Sequence, residues 1–168
     1  MRWIVLLLFI WAACAHHDVQ PSKYNGPNLP AQFSFSPIDT AQLDFLLSLG
    51  WIQPSGHTIP TDHVYFWANT SDKVTIVAPG GGLVTKILNV QVAGVPEVKI
   101  WIQMNEHFVY YLDHIVLENS IHEGSLLDAG QTIGTTGLGK SVDLGAYDDT
   151  TTLHFANSKR YSVKRCTA

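Results

Sequence analysis

Cysteine is nearly absent from this 168-residue chain: Cys14 and Cys166 are the only two. Cys14 sits at the exit of an apolar leader and Cys166 near the end, so no internal disulfide is expected in a mature domain. Charge is scarce as well, with 14% charged residues and a formal net charge of −4. No basic block breaks that pattern except a short tail, Lys159, Arg160, Lys164 and Arg165, so nucleic acid is excluded as a partner. Long apolar runs are missing too. The run from Trp3 to Trp11 is too short for a membrane span. What is present is a 46% hydrophobic composition over one domain's length, which is globular rather than disordered.

Met1-Arg2, the apolar run and Ala12-Ala13-Cys14-Ala15 have the charged start, h-region and small-residue exit of a secretory signal over residues 1–15. Export is therefore expected, with two exits open. Cleavage after Ala15 releases a soluble chain, whereas cleavage before Cys14 leaves a cysteine that can be lipidated. Trp11 stands where a lipoprotein pattern usually has leucine, which favours the soluble form. Residues 16–35 read as an extended arm, because they hold three prolines between polar residues. Ser36-Pro37-Ile38-Asp39 offers an N-cap, a first-turn proline and a first-turn acid, and Gly50 a stop, so one short amphipathic helix is expected in a lead-in over 36–55.

From Trp51 onward the pattern becomes short β-type runs separated by turn signals. They are Val64–Ala68, Val74–Val77, Leu83–Val92, Val98–Met104, Phe108–Val116, Thr132-Ile133 and Leu153–Phe155. The expected fold is all-β, an antiparallel sandwich or open barrel over residues 56–158, followed by a basic tail at 159–168.

Several motifs tempt. Gly134 to Ser141, GTTGLGKS, satisfies the phosphate-loop pattern, but nothing around it supplies the strand and helix that such a loop needs, and a glycine-rich hairpin is expected instead. His122-Glu123 does not continue to a second histidine at helical spacing, and no G-x-S-x-G elbow exists for a serine nucleophile. The histidines are more informative. His57, Asp62 and His63 fall within seven residues at the mouth of a strand, His114 lies in another, and His154 in a third. Imidazoles from neighbouring strands can converge on zinc and leave a water position open.

These residues occur in an order that resembles the M23 peptidase, or lysostaphin-like, family. The resemblance runs from His63, through Ala78-Pro79-Gly80-Gly81-Gly82-Leu83-Val84 and Tyr111 to His114, to the segment Gly130-Gln131-Thr132-Ile133-Gly134 and Leu153-His154-Phe155. It implies the duplicated hybrid motif fold, zinc as cofactor, His63 and His154 as ligands and His114 as a catalytic histidine. Two positions depart from the family pattern: Trp67 stands at the aspartate ligand and Thr152 at the first histidine of the last motif. His57 or Asp62 is the expected replacement ligand, with Asp143 or Asp148 as further oxygen donors. The implied function is a divergent exported envelope domain, degenerate as a peptidase, that binds peptidoglycan, another envelope polymer or a partner wall enzyme. The alternative is a zinc-dependent endopeptidase acting on peptidoglycan-type peptides.

Overall fold

A computed structural model describes residues 25–52 and 61–148. The expected signal segment, the basic tail, His57 and His154 lie outside the described residues. Among the described residues nine strands form, all paired antiparallel: β1 Leu43–Leu47, β2 Val64–Ala68, β3 Thr75–Val77, β4 Gly82–Val92, β5 Val95–Gln103, β6 Phe108–Leu117, β7 Leu126–Leu127, β8 Thr132–Thr136 and β9 Ser141–Asp148. The main path through the sheet runs β1-β2-β9-β6-β5-β4-β7, while β8 pairs with both β3 and β6. The all-β expectation holds.

Alternation along the strands sorts the residues onto two faces. Ile100, Ile102, Tyr110, Leu112 and Val142 turn to one side and join Ile76, Val84, Ile115 and Ile133 in a core closed to solvent. Lys99, Trp101, Tyr111, Asp113, Asp143, Gly145 and Tyr147 alternate with them on the other side. That second face is the one that matters for function.

The lead-in differs from the helix expected over residues 36–49. Helical structure there is limited to a 3-10 turn at Thr40–Gln42, capped by Asp39, whose carboxylate accepts the Ala41 N–H at 2.9 Å. Ser36, the expected cap, has its hydroxyl buried without a hydrogen bond, and Ile38 is inserted into the core. From Leu43 the chain is extended and pairs with β2. A short isolated helix gains little by itself, and pairing with the open edge of β2 satisfies the same backbone groups within the sheet. The glycine-rich segment also departs from expectation. Residues 137–140 do not close a hairpin, since β8 pairs with β3 and β6 while β9 pairs with β2 and β6.

Candidate functional site

The site is built where β2, β9, β6 and β5 lie side by side. Asp143 projects from β9 across from Tyr65 of β2 and Asp113 of β6. His63 enters β2 from its mouth and brings Nε2 to 3.4 Å from Asp143 Oδ2. His114 approaches the same oxygen from the other side, with Nε2 at 3.7 Å.

His114 reaches this face because β6 carries a bulge. Val98 pairs with Ile115 and Ile100 with Leu112, so two residues, Asp113 and His114, stand opposite Lys99 alone. Strict alternation from Tyr110 and Leu112 would send residue 114 into the core. The extra residue shifts the phase, Ile115 takes the core position, and His114 is turned out at φ 66°. The same point is where β6 exchanges β9 for β8 as its neighbour. Local bonds hold the kink: Asp113 Oδ1 accepts the His114 N–H at 2.9 Å, and the His114 carbonyl accepts the Gly137 N–H at 2.9 Å.

Each imidazole is anchored from behind by a carboxylate. Asp62 Oδ1 lies 2.8 Å from His63 Nδ1, and Glu97 Oε2 lies 2.9 Å from His114 Nδ1. Tyr147 donates its hydroxyl to Asp62 at 3.1 Å. The bond to His63, its nearby charge and the Tyr147 hydroxyl together hold the Asp62 carboxyl down at about 2, against a burial that acts the other way. Asp143 is pushed the opposite way, to about 6, chiefly by burial, with Asp113 adding to the rise while His114, His63 and Lys99 oppose it. Burial alone would lower the pKa of His114, but the bond that its Nδ1 makes to the Glu97 carboxylate and the charges of Asp143 and Asp113 raise it above the usual histidine value. Lys99 balances Asp113 at 3.1 Å and lies 3.8 Å from the centre of the Tyr111 ring. Trp101, Tyr111 and Tyr147 form a contiguous aromatic row beside the cluster.

Of the residues singled out by sequence, the structure thus brings together His63, Asp62 and His114, with Asp143 at the centre. Asp148 instead sits at the far end of β9, across from Phe108. Glu97 gave no signal: it stands between Pro96 and Val98 in an ordinary strand sequence. Trp67, at the position where the resemblance asks for an aspartate, stacks on Phe45 of β1 with ring centres 5.5 Å apart and planes 12° from parallel. Three polar atoms of this face, His63 Nε2, Asp143 Oδ1 and Trp101 Nε1, are buried and make no hydrogen bond. Even so, among the described residues no group of three or more His, Cys, Asp or Glu side chains is arranged to hold a metal ion. Both imidazoles address one carboxylate oxygen rather than a shared point, so the residues described fall short of a zinc centre. No helix among them is long and apolar enough to cross a membrane.

No family model matches the chain, and no curated protein matches it by sequence. Solved structures do match. Csd3 of Helicobacter pylori is 22% identical at a TM-score of 0.52, over 71% of this chain and 32% of that one. A zinc containing peptidase from Vibrio cholerae is 21% identical at a TM-score of 0.52, over 68% and 36%. The catalytic domain of the prophage-encoded M23 protein EnpA from Enterococcus faecalis, solved as a point mutant, is 18% identical at a TM-score of 0.50, over 68% and 87%. The chain spans about a third of the length of the first two. At such identities the likeness is one of architecture, and on that ground the described chain has the fold found in M23 peptidases.

Proposed function

We propose that this is an exported, divergent M23-fold domain of the cell envelope that binds a wall polymer, or a partner enzyme acting on one, on the face carrying His63, Asp143 and His114. The observation that carries the reading is Trp67. The position that should supply a carboxylate ligand holds an indole committed to Phe45, and an indole offers no lone pair to a metal. The remaining polar groups suit recognition: an acceptor-rich cluster flanked by the partly exposed rings of Trp101 and Tyr147, stacked on each other, which offer the apolar faces that sugar and peptide groups need. The test is cosedimentation of the purified protein with peptidoglycan sacculi, with and without added zinc, while released fragments are measured. Binding without release is expected. Absence of binding, or zinc-dependent release, would overturn the reading.

A second reading, a zinc-dependent hydrolase of peptidoglycan-type peptides, is favoured by two of the buried orphan atoms, the potential ligand atoms His63 Nε2 and Asp143 Oδ1. In that case His63 and Asp143 are ligands, His57 or His154 completes the set, and His114 holds a proton. Zinc would supply a polarised water. Stoichiometric zinc in the purified protein, lost in both His63→Ala and Asp143→Ala, together with fragment release, is the outcome that would replace the first reading by this one.

A further inference from the structure

Glu97 is the most deeply buried carboxylate described, with its side chain fully closed to solvent. Both of its oxygens are engaged: Oε2 with His114 Nδ1 at 2.9 Å, and Oε1 with the N–H of Leu138 at 2.7 Å. Leu138 belongs to the glycine-rich stretch that looked like a phosphate loop. Its neighbour Gly137 explains why that stretch is glycine-rich, because a Cβ there would overlap the Glu97 carboxyl group. The backbone amide that a phosphate loop would turn to its ligand is turned to Glu97 instead.

We infer that Glu97, seated on Gly137 and Leu138, is a positioning residue that makes His114 a hydrogen-bond acceptor toward the open face. A carboxylate only accepts, so the proton of a neutral His114 resides on Nδ1 and the lone pair of Nε2 faces Asp143. Asp62 holds Nδ1 of His63 in the same manner. His63 Nε2 is closed off against Asp143, so the lone pair within reach of solvent is that of the partly exposed His114, and a ligand group that suits it is a donor: a hydroxyl, an ammonium or an amide N–H. This rests on the reading that the cluster is the working part of the face, and it narrows the wall ligand to its donor-bearing groups.

The isosteric change Glu97→Gln separates positioning from packing. With its single oxygen accepting Leu138 N–H, the new amide NH2 faces His114 Nδ1 and reverses the tautomer, so that Nε2–H closes on Asp143. Imidazole 15N shifts, taken at a pH that leaves His114 neutral, should show Nδ1–H in the wild type and Nε2–H in Glu97→Gln. Sacculus binding should fall roughly tenfold in the variant. A wild-type His114 protonated on Nε2 overturns the inference without any variant, and so does a folded Glu97→Gln with unchanged tautomer. If the tautomer reverses as expected but the wild type binds no sacculi, the positioning role stands and the wall-binding function fails.

Discussion

His63 Nε2 and Asp143 Oδ2 lie 3.4 Å apart, and they meet on a diagonal of the β2–β9 ladder, since the residue directly across from Asp143 is Tyr65. The contact is shielded, with Asp143's side chain 5% exposed, so the state of that carboxyl feeds into stability. Its folded pKa of about 6 is above the unfolded value of 3.8. A carboxyl raised in this way contributes stability that is fully present below pH 4 and is lost as pH rises through 6. His114, also raised, acts in the same direction at higher pH. Asp143→Asn should therefore leave stability nearly unchanged at pH 4 and improve it at pH 8, by on the order of 3 kcal/mol before its neighbours readjust. Urea melts at the two pH values decide it. A variant equally destabilised at both would show that the ionised carboxylate is not the costly state.

Gly145 and Tyr111 are partners across the β6–β9 ladder, and a Cβ at 145 would run into the Tyr111 ring and hydroxyl. Tyr111 is buried and in turn reaches Asp62 and His63 with its hydroxyl, at 3.4 Å and 3.2 Å. Gly145→Ala should thus cost about 1–3 kcal/mol through overpacking and also disturb the cluster. Gly139→Ala, whose Cβ would meet only Ser141 Oγ at 3.7 Å, is the control and should stay within about 1 kcal/mol of the wild type. Similar melts for the two variants would contradict the packing argument.

The strands that are legible in the sequence are those with β-branched and aromatic runs: such runs mark β2 at its observed bounds, and β4, β5 and β6 to within a few residues. The strand that carries Asp143 is not among them. Val142, Leu144 and Ala146 alternate with Asp143, Gly145 and Tyr147, a period-two signal thinned by one glycine and two acids and masked by the phosphate-loop pattern before it. The lead-in failed for the opposite reason. Leu43 to Leu47 is nearly continuous in apolar residues, which helix and strand share, and only the open edge of β2 decides between them. Asp62, His63 and His114 could be found because they are polar residues at strand mouths or in recognisable spacing. Glu97 could not. Its role depends on a bulge seventeen residues away and on a glycine forty residues away, and neither leaves a mark near it.

Phe45 and Trp67 face each other in the β1–β2 pairing and stack. Part of the hold of β1 on the sheet should reside in that pair, because Phe45 and Leu46 are otherwise well exposed. A double-mutant cycle with Phe45→Ala and Trp67→Ala should give a coupling of about 0.5–1.5 kcal/mol. Additive losses would mean that the stacking is incidental. Trp67→Asp, which installs the carboxylate that the peptidase pattern carries, should lose the stacking and gain no stoichiometric zinc, as read by calorimetric titration. Uptake of one zinc ion by that variant alone would instead show that a single substitution separates this face from a metal centre.

Two of the donors that hold Asp62, His63 and Tyr147, carry unequal weight, and they can be removed one at a time. His63 dominates the lowering of its carboxyl and Tyr147 adds to it. His63→Ala should move the Asp62 titration up toward the ordinary aspartate value, and Tyr147→Phe should move it less far in the same direction. Carboxyl 13C shifts followed against pH report both. For stability the sign is opposite to that of Asp143: a depressed carboxyl contributes above pH 4, and that contribution is lost as pH falls through about 2. Wild-type protein should accordingly lose more stability than His63→Ala between pH 4 and pH 2. If the two lose equally, the bond between His63 Nδ1 and Asp62 is not what keeps the carboxylate charged, and the orientation of the His63 ring toward Asp143 must come from its packing at 4.5 Å against Tyr65.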